Sequence, residues 1–196
     1  ALNYKELIYF SYSHRWESSS VMPEKSRNFN FPGMSLSFIM SDLFPGIKEG
    51  GTIDFWKVRT SLANTARMSS PYLNQPRLEN RVSSGQGYSY GFFNNNPDLV
   101  PEIQETYEIG TELRLLDSRL SFDLTYYNTL CDRQIVENFR SSYGTGFVLN
   151  TLNAASTRNE GVELVVGITP IKNKNFNWTI QLNGNRMWNE VLSLPG

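Results

Sequence analysis

Long stretches in which apolar and polar residues alternate constrain the fold of this chain more than any other feature. In the clearest one, residues 106–128, two alternating segments flank a short polar turn, 116–119. A period of two residues places apolar side chains on one face of a β-strand and polar side chains on the other. Because the turn is short enough to join antiparallel neighbours, this stretch predicts a β-hairpin.

The same alternation recurs along the chain and predicts about seven strands. The further segments are 8–13, 34–41, 55–66, 161–168 and 176–183. Several strands are predicted to have ten or more residues, whereas strands of globular proteins average about five to six. A tilted strand needs about 9–11 residues to cross a bilayer. No stretch approaches the ~18 consecutive apolar residues of a membrane-spanning helix.

The connections between the predicted strands alternate in length. The long ones are 16–31, 68–104 and 130–157, and the short ones are 42–51, 117–118 and 170–174. In an up-and-down antiparallel sheet, every second connection lies at the same end, and long loops at one end are typical of outer-membrane barrels. The sequence therefore predicts an all-β fold of antiparallel up-and-down strands from a large transmembrane β-barrel. Polar residues would then line a wet lumen, although alternation alone also fits an ordinary sheet with one solvated face.

Composition excludes several other classes of function. With a net charge of −1, the chain has no excess of positive charge for a nucleic-acid backbone. Its one cysteine, Cys131, has no partner for a disulfide, and its one histidine, His14, has no second metal ligand nearby. We therefore expect no catalytic residues, metal or cofactor, and no enzymatic activity. The chain begins without an initiator methionine or a signal-peptide pattern, which predicts a processed product or an excised piece.

Aromatic residues provide two further predictions. Those at strand ends would suit the interfacial girdles of a barrel; they are Tyr107, Tyr126, Tyr127, Phe176, Trp178 and Trp188. The longest connection carries five more among Ser, Gly, Asn and Gln; they are Tyr72, Tyr88, Tyr90, Phe92 and Phe93. Such rings with amide and hydroxyl neighbours could hold a sugar or peptide. The alternative is that they fold the loop back onto the barrel.

Six collinear strings, together covering nearly the whole chain, resemble the C-terminal barrel region of SusC/RagA-type TonB-dependent transporters of Bacteroidetes. They are RWESS at 15–19, FPGMSLS at 31–37, WKVRTS at 56–61, NPDLVPE at 96–102 followed by YEIG at 107–110, RLSFDLTYYN at 119–128, and NAASTRNEGVEL at 153–164. The NPDLVPE and YEIG pair is the most specific match. In the last string, Ala155 replaces the glycine of the family pattern.

The resemblance implies a function and partners. It implies part of an outer-membrane transporter that imports a glycan, oligosaccharide or peptide, with energy from the proton gradient through TonB. The implied surroundings are outer-membrane lipid and a SusD-like surface lipoprotein. No plug domain or TonB-engaging segment is recognisable in residues 1–196, and seven strands cannot close a 22-stranded barrel. We therefore expect a partial barrel domain, without the plug and terminal strands.

A soluble secreted β-sandwich that binds carbohydrate is the alternative. It predicts that the apolar strand faces pack against one another.

Overall fold

The computed structural model describes residues 1–80, 87–141, 144 and 146–195. Most of these residues lie in strands. The strands are β1 (Leu2–Tyr4), β2 (Ile8–Ser18), β3 (Asn28–Ile39), β4 (Ile53–Arg67), β5 (Glu79–Asn80), β6 (Tyr88–Ser89), β7 (Phe93–Asn94), β8 (Glu102–Leu115), β9 (Leu120–Phe139), β10 (Leu149–Lys172) and β11 (Asn177–Ser193). The seven long strands predicted by the alternation are all present. The short helices are a 3-10 turn at Glu24–Ser26, α1 at Met40–Leu43 and α2 at Gly46–Glu49. None of the described helices is long or apolar enough to span a membrane.

The long strands form one sheet in chain order, as an up-and-down topology requires. Its order is β1-β2-β3-β4-β8-β9-β10-β11, and all of these neighbours are antiparallel. The short β7 pairs with β10 in parallel, and β5 pairs with β6 in a separate two-stranded ladder. The predicted all-β, antiparallel architecture is confirmed.

The strand registers separate an apolar face from a polar face, because residues paired directly across neighbouring strands share a face. One apolar row comprises Phe10, Leu36, Thr60, Ile109, Tyr126 and Val162. The adjacent polar row comprises Ser37, Arg59, Gly110, Thr125, Glu163 and Asn185. Apolar side chains stay exposed on their face; Leu62, Ile109 and Leu124 are 47%, 42% and 41% accessible. The sandwich alternative, in which these faces pack together, is therefore wrong.

The aromatic residues at strand ends do not all share one face. Tyr107 and Tyr126 lie in register rows of the apolar face, as a girdle requires. Tyr127 is paired instead with Glu108 on β8 and Gly161 on β10, which belong to the polar face. Adjacent residues of a strand point in opposite directions, so the prediction that Tyr127 belongs to a girdle is wrong.

The connections differ from the predicted alternation of long and short. The predicted loop 130–157 is wrong, because β9 continues to Phe139 and β10 begins at Leu149. Arg133 and Asn138 have positive φ angles, and three register irregularities interrupt the ladder between these strands. The predicted short connection 42–51 spans residues 40–52 and contains α1 and α2. It is therefore longer than the connection 19–27 at the opposite end of the sheet, which was predicted to be long. Only 68–101 is much longer than the rest.

Two connections at the same end of the sheet meet in a small buried cluster. Met22, in the β2–β3 connection, is 1% accessible, and Leu99, at the end of the longest connection, is 0% accessible. The hydroxyl of buried Ser69 lies 3.6 Å from Met22 Sδ. The most deeply buried apolar side chains of the described residues thus lie beyond the sheet, where they join two loops.

Candidate functional site

An ion pair lies at the centre of the polar face. Arg59 on β4 donates hydrogen bonds from Nη1 and Nη2 to the two carboxylate oxygens of Asp123 on β9, at 3.2 and 2.6 Å. Nη2 also donates to Thr125 Oγ1 at 2.7 Å. The guanidinium crosses the intervening β8, where a Cβ added to Gly110 would lie only 2.8 Å from Arg59 Nε. The glycine therefore lets the guanidinium lie directly over β8, and a Cβ at this position would displace it.

A depression of about 220 Å³ lies beside the ion pair. Its polar lining includes Ser35, Ser37, Lys57, Ser61 and Glu108. Ser61 Oγ donates a long hydrogen bond, 3.4 Å, to Glu108 Oε2. Among the described residues, Lys57 has no ion pair. The polar face thus presents hydroxyls, an ammonium and a carboxylate that its own ion pairs do not fully occupy.

Two asparagines of β10 anchor the longest connection to the sheet. Asn153 accepts a hydrogen bond from the Val100 amide at 3.0 Å and donates one to the Val100 carbonyl at 2.7 Å. Asn150, which is 4% accessible, accepts a hydrogen bond from the Asn94 side chain at 2.9 Å. Beside it, Phe93 pairs with Leu149 in the parallel β7–β10 ladder. The loop is therefore fixed at two points on one strand.

The same connection is joined to the β2–β3 connection by polar contacts. Lys25 forms an ion pair with Asp98. Ser26 Oγ donates a hydrogen bond to the Leu99 carbonyl at 2.6 Å. Together with the burial of Met22 and Leu99, these contacts make residues 19–27 and 96–100 one structural unit at the end of the sheet.

The five aromatic residues predicted to bind a ligand divide into two groups. Phe92 and Phe93 pack edge-to-face, with ring centroids 4.9 Å apart, and Arg77 lies over the Phe93 ring at 4.6 Å. The rings of Tyr72, Tyr88 and Tyr90 project into solvent and are 75%, 73% and 59% accessible. In the described part of the chain, no ring contact joins these three tyrosines to another aromatic residue.

The lone histidine lies in an aromatic stack on the apolar face of β2. Its Nδ1 is 2.8 Å from the Tyr12 hydroxyl, and its ring centroid is 4.1 Å from that of Trp16. Throughout the described ranges, no group of three or more His, Cys, Asp and Glu residues is placed to hold a metal ion.

The sequence relatives are receptors. TonB-dependent receptor P39 of Formosa agariphila is 29% identical over 199 residues, which span 98% of this chain and 18% of that protein. TonB-dependent receptor SusC of Bacteroides thetaiotaomicron is 24% identical over 213 residues, which span 100% of this chain and 20% of that protein. The chain therefore spans about a fifth of the length of these relatives.

The structural comparison agrees with the sequence comparison. The RagAB peptide importer in its open-open state superposes with a TM-score of 0.83 at 23% identity, covering 96% of this chain and 20% of that one. The family described as TonB-dependent receptor-like, β-barrel matches residues 11–190. Its members are receptors and transporters of the outer membrane, and the polar and apolar faces described above correspond to the lumen and lipid sides of such a barrel. The chain belongs to the TonB-dependent receptor-like β-barrel family and forms part of the wall of an outer-membrane β-barrel.

Proposed function

We propose that this chain is part of an importer that brings a nutrient too large for porins, a glycan or a peptide, across the outer membrane. The observation that carries the proposal is the sheet itself, with an exposed apolar face and a polar face that holds unoccupied hydrogen-bonding groups. A wall of this kind separates lipid from a wet passage. The proposed activity is binding and translocation, without bond chemistry.

The proposed assembly extends beyond these residues. We infer that residues 1–196 belong to a partial barrel domain, and that a plug and further strands complete the full-length protein. TonB would transmit energy from the proton gradient through the plug, and a SusD-like lipoprotein would cap the outer mouth. The likeness to SusC and to the RagAB peptide importer supports this assembly.

The proposed surface contacts are the aromatic residues of the longest connection. Tyr72, Tyr88 and Tyr90 offer exposed ring faces for stacking on a sugar or a peptide side chain. Phe92 and Phe93 have a supporting role, because their mutual packing and the β7–β10 pairing hold the base of this loop. Arg77 stabilises that base from above the Phe93 ring.

Uptake by cells that carry the full-length protein tests the proposal. We expect labelled oligosaccharides or peptides to enter wild-type cells, and uptake to stop when the gene is deleted or when a protonophore collapses the proton gradient. Replacing all three exposed tyrosines with serine should weaken binding at the cell surface without reducing the amount of protein in the outer membrane. Uptake that survives both gene deletion and the protonophore contradicts the proposed function.

A further inference from the structure

The sheet divides between β3 and β4 before either strand ends. β3 pairs with β4 over residues 33–39 only, whereas β4 continues beside β8 as far as Arg67. If the register of β3 and β4 continued, Pro32 would lie opposite Asn64, but proline has no N–H to donate to a ladder. Residues 28–32 form no ladder with β4, so the wall has a gap at this point.

Two depressions meet at this gap on the apolar face of the sheet. One, of about 420 Å³, lies between β3 and the start of β8, and its lining includes Asn30. The other, of about 430 Å³, extends along the apolar face over Met34, Leu62 and Tyr107. Three residues line both depressions; they are Pro32, Asn64 and Glu105. The two depressions therefore form one groove, which we call the boundary groove.

The register places the boundary groove at the edge of the apolar band. Leu62 pairs with Tyr107, and the same row reaches Glu160, where the apolar face becomes polar. The Asn64–Glu105 pair lies two residues further along the strands, about 5 Å along the membrane normal at a tilt of about 40°. The polar layer on each side of a bilayer is roughly 5–7 Å thick. One end of the groove thus faces acyl chains, and the other lies among lipid headgroups.

The polar end of the boundary groove carries charges that the chain itself leaves available. The side chains of Asn30, Asn64 and Glu105 form no hydrogen bond or ion pair with another described residue. Arg133 of β9 lines the same depression, and its side chain is 54% exposed. Its ion pair with Asp132 is long, at 3.7 Å. A carboxylate and a guanidinium that are not paired with each other complement a headgroup that carries both charges.

We propose that the boundary groove binds one molecule of phosphatidylethanolamine. Its ammonium donates hydrogen bonds to Glu105 and Asn64, its phosphate accepts from Arg133, and one acyl chain lies along Met34 and Leu62. A primary ammonium has three N–H donors, whereas the quaternary ammonium of phosphatidylcholine has none. An anionic headgroup without an ammonium would meet the repulsion of Glu105. This lipid site goes beyond the proposed import function and does not depend on what is imported.

The test measures which lipids stay bound to the full-length protein. The protein is reconstituted in vesicles that contain phosphatidylethanolamine, phosphatidylcholine and phosphatidylglycerol in equal amounts with identical acyl chains. It is then extracted into detergent, and the retained lipid is identified by native mass spectrometry. The variants are Glu105→Gln and Arg133→Gln. Heat-sensitive gel mobility confirms that each variant is folded.

Glu190→Gln is the matched control. Glu190 lies in the same register row as Glu105, on the same face and at the same depth in the membrane. It lies outside the groove and forms an ion pair with Arg158, at 3.6 Å. A general effect of removing one carboxylate at this depth would therefore appear in both variants, whereas loss of the lipid site would appear only in Glu105→Gln.

We expect the wild-type protein to retain about tenfold more phosphatidylethanolamine than phosphatidylcholine, as one charge-assisted hydrogen bond predicts. Glu105→Gln should reduce phosphatidylethanolamine to the level of phosphatidylcholine. Arg133→Gln should lower the retention of both lipids, because both carry the phosphate. Glu190→Gln should stay within about twofold of the wild-type protein.

Other outcomes overturn the inference. Retention of no lipid, equal retention of the three lipids by the wild-type protein, or equal behaviour of Glu105→Gln and Glu190→Gln refutes the site. Preferential retention of phosphatidylglycerol refutes the assignment of an ammonium to Glu105. A lipid-free dimer that dissociates in Glu105→Gln shows that a second copy of the protein occupies the groove instead. Failure of uptake by cells would contradict the proposed import function and leaves these measurements unaffected.

Discussion

Adjacent residues of β10 allow the assignment of the two faces to be tested with one kind of substitution. Leu164 pairs with Leu124 on the apolar face, and Val165 pairs with Asp123 on the polar face. Lysine at Leu164 places an ammonium in lipid, whereas lysine at Val165 places it in the lumen beside a carboxylate. Both changes replace an aliphatic side chain in the same strand, so differences in strand propensity are small.

The position of Leu164 within the apolar band sets the expected size of the effect. It lies four residues from Glu160, where the apolar face becomes polar, and four residues from Ile168, the last apolar pair before the turn. At about 3.3 Å per residue and a tilt of about 40°, each distance is roughly 10 Å along the membrane normal. A lysine near the midplane of a barrel costs about 2–4 kcal/mol. We therefore expect a loss of about 3 kcal/mol, a shift of roughly a hundredfold in the folding equilibrium.

The assay is guanidinium unfolding of the full-length protein in lipid vesicles, followed by the heat-sensitive gel mobility of folded barrels. Leu164→Lys should lower the free energy of unfolding by about 3 kcal/mol, and Val165→Lys by less than about 1 kcal/mol. Equal losses in both variants would refute the assignment of faces, and a larger loss in Val165→Lys would reverse it.

Three further predictions concern the end of the sheet where residues 19–27 and 96–100 meet. Leu99→Ala should cost about 2–5 kcal/mol of local stability, because the side chain is fully buried; surface proteolysis of intact cells should then cleave the longest connection faster. Asn153→Ala removes both hydrogen bonds to Val100 and should speed hydrogen exchange of the Val100 amide, with unchanged exchange in the sheet. Asp132 lies beyond the polar edge of the apolar band, and the hydrogen bond from Ser156 Oγ at 2.6 Å lowers the pKa of its carboxyl. Its stabilisation is present above the ordinary pKa of about 3.9 and is lost as the pH falls through the lowered value. Pepsin should therefore cleave the wild-type β9–β10 ends faster as the pH falls below about 4, whereas Ser156→Ala should be cleaved fast already at pH 4.

Alternation predicted the strands because it records the only constraint that acts on both faces along their whole length. Each outward position of β9, such as Phe122 or Leu124, needs a side chain that is stable in lipid. Each inward position, such as Asp123, needs a side chain that is stable in water. The signal stops where that constraint stops. Beyond Cys131 the register of β9 with β10 becomes irregular, and apolar and polar residues no longer alternate along β9. Periodicity therefore cannot locate these strand ends, and it predicts a loop at 130–157 where the strands continue.

The anchors of the longest connection escaped prediction for a different reason. An asparagine that binds backbone groups, as Asn153 binds Val100, has no distinctive local pattern, and its partner is 53 residues away. The exposed loop tyrosines were predictable as candidates from composition alone. Its aromatic ring alone predicts a girdle position for Tyr127, whereas its place next to Tyr126 in the strand puts it on the opposite face.

The distribution of buried side chains implies that this wall has two separate sources of stability. Within the sheet, apolar residues such as Leu62 and Ile109 remain exposed in the chain itself, and lipid supplies their apolar surroundings. At the end of the sheet where the two connections meet, Met22 and Leu99 are buried within the chain itself. Substitutions in the first group should therefore act mainly through membrane insertion, and those in the second through the joint between loops. Because this joint is buried by the chain rather than by lipid, we expect it to keep this rim of the wall ordered independently of the bilayer, so that a ligand at the rim would meet a preformed surface.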